Sequence, residues 1–358
     1  MEKAKKIFVA ATRQNDGKTV FSIGLILTLQ KRFDRVGFMK PVGQKYLIVD
    51  GIKVDKDAVL MQKVCGIDED LKSLNPVAVE EGFTRKYLDS PQENKLDRQI
   101  REGYQKTARG KDIVVIEGTG HAGVGSVFDM SNAEVARILD TPVIIISIGG
   151  IGRPIDEVSL NLALFREKGV EVKGVVINKV IPEKKQIVEN YLRKGLDRLG
   201  VRLLGVLPFA PTLLQPDLYQ ICECINGKVI AGQDNFHIKI KNIVIGAMTA
   251  RHALDYFKPG SLLVTPGDRE DLILAALESY SENEVQGVVL TGGLYPHKSI
   301  LDLIKKYNIP TMIVSEGTYE TASSIHELVV KITEKDAEKV EVAQKLVEEN
   351  VDIEELLR

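Results

Sequence analysis

Cysteine is scarce: Cys65, Cys222 and Cys224 are too few for a disulfide framework, and the Cys-x-Cys pair lacks the second pair a zinc site would need. All three read as structural thiols. An excess of one charge is also missing. Lys plus Arg number 48 against 50 Asp plus Glu, a formal net charge of -2 that gives no general pull toward nucleic acid or an acidic membrane. No basic stripe with interleaved aromatics compensates. Nor is there an apolar run long enough for a signal peptide or a membrane span, since MEKAKK leads into one short strand. Internal repeats and low-complexity segments are absent as well. These absences predict a cytoplasmic protein with neither nucleic-acid nor membrane partners.

What is present exceeds one core. At 358 residues and 44% hydrophobic content, two α/β domains are expected. Ile7 to Val9 reads as a buried strand, and Gly17, Lys18 and Thr19 open a helix through Phe21, Ile23, Leu25, Ile26 and Leu29. The helix start therefore faces the polar turn, which makes an anion site. In the GxxxxGK[ST] pattern, backbone amides approach phosphate, the lysine neutralises the terminal phosphates and the hydroxyl binds magnesium. Lys18 and Thr19 fill the last two roles, and Thr12, Arg13, Asn15, Asp16 and Gly17 form the turn. Thr12 replaces the first glycine of the pattern. The plain alternative is a polar helix start with a solvated lysine; the preceding strand and following amphipathic helix favour nucleotide.

Further polar groups fall at strand ends. Val36 to Met39 ends in Lys40, which either points into the ligand crevice of an open parallel sheet or is a solvated loop lysine. Asp55 and Asp57 open a helix, where the macrodipole alone could account for them; metal binding is the other reading for Asp57. Residues 66–91 read as an irregular polar insertion. DIVVIE, residues 112–117, is a buried strand delivering Glu117 into a glycine loop, as a magnesium carboxylate or as a cap on its own turn. His121 in that loop either touches phosphate or is merely exposed. Ser131 and Glu134 have capping-box spacing. Strand-helix alternation then runs to Leu207, with Asn178 and Lys179 where a base could be read.

Pro208, Pro211 and Pro216 mark a link, after which the alternation restarts without a second phosphate turn. The expected parts are a nucleotide-binding domain at 1–212, a smaller α/β domain at 213–333 and a C-terminal helix at 334–358. That helix carries Val340, Ala343, Val347 and Val351 at helical spacing, and fits either a docked stripe or a solvated tail.

ATRQNDGKT, KPVGQ, DKDAV, EGTGHAG and INK occur in the order seen in the dethiobiotin synthetase-like P-loop family. The second half resembles the DRTGG domain through Asp268-Arg269 and Thr291-Gly292-Gly293. Together they are similar to the N-terminal region of long bacterial phosphotransacetylases, whose acetyltransferase domain has no room here. The resemblance implies a P-loop parallel sheet covered on both faces, followed by a smaller α/β domain. It implies ATP and Mg2+ as cofactors, with Lys18 on the β and γ phosphates and Thr19, Asp57 and Glu117 around magnesium. Lys40 would steady a small carboxylate or carbamate and Asn178 would read the base. Lys18, Lys40 and Glu117 would then carry catalysis. Arg13 stands where dimeric relatives place a cation that reaches the partner's nucleotide, which implies a homodimer; otherwise it pairs with Asp16 or lies in solvent. Arg13 and Ala11 depart from the synthetases, so biotin synthesis is disfavoured. A nucleotide-responsive regulatory or partner-binding module is the competing function.

Overall fold

The computed structural model describes residues 4–44, 46–91 and 95–358. The chain forms two compact units, Met1–Ala210 with Ile332–Arg358, and Pro211–Lys331.

In the first unit the chain runs through β1 (Lys5–Ala11), α1 (Lys18–Gln30), β2 (Val36–Met39), β3 (Val42–Gly43), β4 (Tyr46–Val49), β5 (Ile52–Asp55) and α2 (Lys56–Cys65). It continues through α3 (Leu71–Leu74), β6 (Val77–Ala78), α4 (Phe83–Asp89), α5 (Lys95–Thr107), β7 (Ile113–Glu117) and α6 (Asn132–Ile138). Next come β8 (Val143–Ile148), α7 (Gly152–Glu167), β9 (Val172–Val180), α8 (Lys185–Arg198) and β10 (Leu203–Pro208). Six of these strands pair in parallel in the order β10-β9-β8-β1-β7-β2. The β-branched runs of β7 and β8 are buried almost throughout, as expected of strands covered on both faces. From β1 the chain passes over β7's place to β2, and later returns to β1's other side. That reversal opens a crevice at the carboxyl ends of β1 and its neighbours.

Residues 66–91 are not irregular. They form α3, β6 and α4, and β6 pairs in parallel with β3. The antiparallel β4–β5 hairpin is a further element without a sequence signature; Ile48 and Lys53 face each other across it, and the ladder is too short and too exposed for a clear alternation signal. Ser131 Oγ accepts the Glu134 amide, but the Glu134 carboxylate turns to Arg137, so only half of a capping box forms.

The second unit has α9 (Leu218–Cys224), β11 (Lys228–Ala231), β12 (Asn242–Ile245), α10 (Ala250–Ala253), β13 (Ser261–Pro266), α11 (Glu270–Ser281), β14 (Val285–Thr291), α12 (Lys298–Tyr307), β15 (Thr311–Ile313) and α13 (Thr318–His326). Its sheet has the order β11-β15-β14-β13-β12, parallel except for β11. Arg269 donates to the carbonyls of Met248 (2.7 Å) and Gly246 (3.4 Å), and the Thr291 and Thr318 hydroxyls are 2.7 Å apart. A Cβ at Gly267 would lie 1.7 Å from the Leu294 carbonyl oxygen. The residues of the two glycine-containing turns thus tie together the carboxyl ends of the strands.

The chain then returns to the first unit as α14 (Ala337–Asn350) and α15 (Ile353–Leu357). Ala343 and Val347 are buried there; Val340 is half-buried.

Candidate functional site: a phosphate turn with a buried lysine and carboxylate cluster

Gly17 immediately precedes α1, and its φ of 100° lies in the left-handed region that favours glycine. No side chain caps the helix start, so its first amides are turned to the crevice without an intrachain acceptor from a cap. The turn before it is braced internally. Asp16, only 3% exposed, accepts from the Thr12 hydroxyl and the Arg13 amide, both at 2.8 Å, and Thr12 Oγ1 lies 3.0 Å from Ser147 Oγ at the end of β8. Burial pushes the Asp16 carboxyl above the usual range against those two hydrogen bonds.

The end of β9 clamps the turn from the other side. Asn178 Nδ2 donates to the Asp16 carbonyl and Lys179 Nζ to the Asn15 carbonyl, each at 2.9 Å. Asn178 Oδ1 accepts from the Lys179 amide at 2.8 Å. One N–H and one lone pair of the Asn178 amide remain for a further partner. Lys179 itself sits at φ 58°, an uncommon conformation for a lysine.

Lys18 is 8% exposed, and among the described residues no side chain stands within ion-pair or hydrogen-bond distance of it. Burial depresses its pKa below the ordinary lysine value, opposed by the charge of Glu117. Lys40, 5% exposed, is its opposite. Its ammonium donates to Glu117 Oε1 at 2.9 Å, contacts Asp57 Oδ2 and lies 3.7 Å from Asp55 Oδ1. Although burial opposes its charge, Glu117, Asp57 and Asp55 hold it above the ordinary lysine value. Thr19 Oγ1 donates to the same Glu117 oxygen at 3.2 Å, whereas Oε2 of this fully buried carboxylate has no hydrogen-bond partner. An orphaned carboxylate oxygen is costly unless something else is bound there.

Thr19, Lys40, Asp57 and Glu117 are therefore brought together, with Lys18 and the turn alongside. Among the described residues no three His, Cys, Asp or Glu side chains converge tightly enough to hold a metal by themselves. Lys40 stands between the carboxylates. Arg13 pairs within its own chain, Nε lying 3.1 Å from Glu157 Oε2 of α7, not aligned as a hydrogen bond, and 3.9 Å from Asp16 Oδ1. His121 is exposed and spends Nδ1 on the Gly123 amide at 3.2 Å.

Several residues position the cluster, and of these only Asp55 is among the sequence candidates. Asn75 accepts from the Asp55 amide at 2.9 Å and donates to the Lys40 carbonyl at 2.8 Å, linking both backbones that carry the cluster. Asp55 caps α2 by accepting the Asp57 amide at 2.9 Å. Asn132 and Asn161 pin the glycine loop, accepting the amides of Thr119 (3.1 Å) and Ala122 (2.7 Å). A lone asparagine in a polar stretch carries no periodic signal; only the helix-start position of Asp55 pointed to it.

A parallel sheet flanked by helices, with the glycine-lysine-threonine turn at the head of α1, defines the P-loop NTPase fold. The chain belongs to the AAA domain family, whose match spans residues 5–217, and a DRTGG domain follows at residues 220–328. It is 28% identical to the phosphate acetyltransferase of Nitratidesulfovibrio vulgaris over 99% of this chain and 51% of that protein. With the Pseudomonas putida phosphate acetyltransferase it shares 29% identity over 96% of this chain and 50% of that protein. The chain thus spans about half the length of these curated relatives. Among solved structures, the MinC:MinD cell division protein complex of Aquifex aeolicus matches with a TM-score of 0.38 and 13% identity, covering 59% of this chain and 84% of that chain. No helix among the described residues is long and apolar enough to cross a membrane.

Proposed function

We propose that the first unit binds ATP with magnesium in the cytoplasm and passes the γ-phosphoryl to a small carboxylate or carbamate steadied by Lys40, with ADP as the leaving group, in the manner of dethiobiotin synthetases; water is the acceptor when no such compound is bound. The observation that carries the reading is Lys18, a side chain only 8% exposed and without an ion-pair or hydrogen-bond partner among the described residues, beside uncapped helix amides. Such a charge is stabilised when a phosphate supplies the missing acceptor. The unpartnered Oε2 of Glu117, next to Thr19, fits a cation held with phosphate and water oxygens rather than by a protein cage. Thr19, Asp57 and Glu117 would hold magnesium, and its chemistry there would be neutralisation of phosphate charge.

The chain's own residues do the rest by position. Lys18 faces the terminal phosphates, Thr12, Asn15, Asp16 and Gly17 shape the turn, and Asn178 keeps one donor and one acceptor for the base. Lys40 is held charged by its three carboxylates. Phosphoryl transfer asks little covalent work of a protein, so two lysines and fixed geometry are a sufficient set. The reading extends to a homodimer in which Arg13 exchanges Glu157 for the partner's phosphates. Mixing Lys18→Ala with Arg13→Ala should then restore part of the hydrolysis rate.

The test is ATP turnover with and without a panel of small carboxylates. Stimulation by one compound supports the kinase-like step. Binding without turnover under any condition favours the second reading, a nucleotide-responsive regulatory module. That reading is supported by the DRTGG turns being spent on holding strand ends together rather than on an open constellation.

A further inference from the structure

The helix that starts at the phosphate turn has a second attachment along its length. Residues 332–358 follow the second unit in the chain yet pack on the first. Their seat on α1 and β10 is built from two glycines. A Cβ at Gly24 of α1 would lie 2.3 Å from the Ala343 carbonyl oxygen and 2.6 Å from Val347 Cγ2, and one at Gly205 of β10 would lie 2.3 Å from the Asn350 carbonyl oxygen. Neither glycine has the positive φ that would otherwise call for one, so each is there for space. The contact is continued by main-chain pairing: Val351 bridges to Gly205 and the Asp352 amide donates to the Leu204 carbonyl at 2.8 Å. Ala343, Val347, Ile353 and Leu356 are at most 4% exposed. Around this apolar seam Lys31 pairs with Glu348 at 2.7 Å, Arg32 with Glu354 and Arg202 with Glu355.

The seam explains why α1 is apolar nearly all round, since one side meets the sheet and another meets α14. It also places on one rigid helix both the amides that face the phosphate turn and the anchorage of the segment leaving the second unit. We propose that α14 and α15 form a strap that reads occupancy of the phosphate turn: ligand binding at the head of α1 tightens the seat of α14, and through the chain at Lys331–Ile332 this reaches the second unit. The proposal rests on the nucleotide reading of the turn. By reciprocity, loosening the strap weakens the ligand.

Hydrogen exchange of the full chain, with and without ATP and magnesium, reads the strap directly, and calorimetry reads the ligand. Exchange at 337–350 slows on the order of tenfold when ATP binds, and Gly24→Val both speeds it and weakens ATP on the order of tenfold. Glu348→Lys acts in the same direction more mildly, and Lys31→Glu combined with Glu348→Lys restores both readouts; this arm decides the matter if Gly24→Val does not fold. Failure of wild-type protein to bind ATP removes the nucleotide reading and the strap with it. ATP binding that leaves exchange at 337–350 unchanged, or loosened variants that bind ATP like wild type, overturns the strap alone.

Discussion

The side-chain amide of Asn178 donates to the backbone carbonyl of Asp16 at 2.9 Å, directly beneath the glycine that opens α1. A Cβ at Gly17 would lie 2.2 Å from that same amide nitrogen, and φ there is 100°. Gly17→Ala therefore meets both backbone strain and a displaced Asn178. We expect it to weaken ATP by at least about tenfold, against a smaller loss in Asn178→Ala, which removes the hydrogen bonds to the Asp16 carbonyl and from the Lys179 amide but leaves the glycine backbone unstrained. Calorimetric titration of the two variants checks the order; equal affinities would mean that the turn is not shaped from β9.

Lys18→Ala should abolish measurable ATP binding without lowering the melting temperature. In the folded chain the Lys18 side chain is largely buried and unpaired by side chains, so its removal takes away a phosphate contact and relieves partial desolvation of a charge. A melting point well below wild type would show instead that Lys18 holds the fold.

Glu117→Gln keeps shape but loses charge. Turnover should disappear while much of the ATP affinity persists, and Asp57→Asn should follow more weakly because Asp57 also occupies a helix start. Wild-type turnover in Glu117→Gln would return the residue to a purely structural part.

How much of this was legible from sequence follows from what each residue does to the chain around it. The P-loop turn, Lys40 and Glu117 lie at the ends of short apolar strands, strongly β-branched only before Glu117, and their position at a strand end places them. The order of strands was not readable, because β-branched runs buried on both faces look alike wherever they sit in a sheet. Asn75 was hidden for a different reason. Its contribution is to bond two backbones 35 and 20 residues away, at Lys40 and Asp55, and nothing in its neighbours encodes those distances. Arg13 offered Asp16 as its nearby acid, whereas the closer partner is Glu157 on a helix far along the chain.

Lys40→Met should destabilise the first unit by about 3 kcal/mol, since it leaves buried carboxylates without a counter-charge. The sign with pH follows from the raised lysine value. The contribution of Lys40 is fully present below its ordinary value of 10.5 and is lost as pH rises through the higher folded value. The difference between wild type and variant, measured by urea unfolding, should thus persist at neutral pH and shrink only above about 10.5. A difference that vanishes by neutral pH would mean Lys40 is not the counter-ion of the cluster.

Limited proteolysis tests the chain path. The proline-punctuated stretch Phe209 to Asp217 contains the junction at Ala210 and Pro211, and cutting is expected there first. A single cut should not separate the pieces. Residues 332–358 remain packed on α1 and β10, so the nicked chain should migrate intact under native conditions and divide only in denaturant or after a second cut near Lys331. Native separation after one cut would mean that the C-terminal helices leave with the second unit, and that their seat on Gly24 and Gly205 is too weak to hold them.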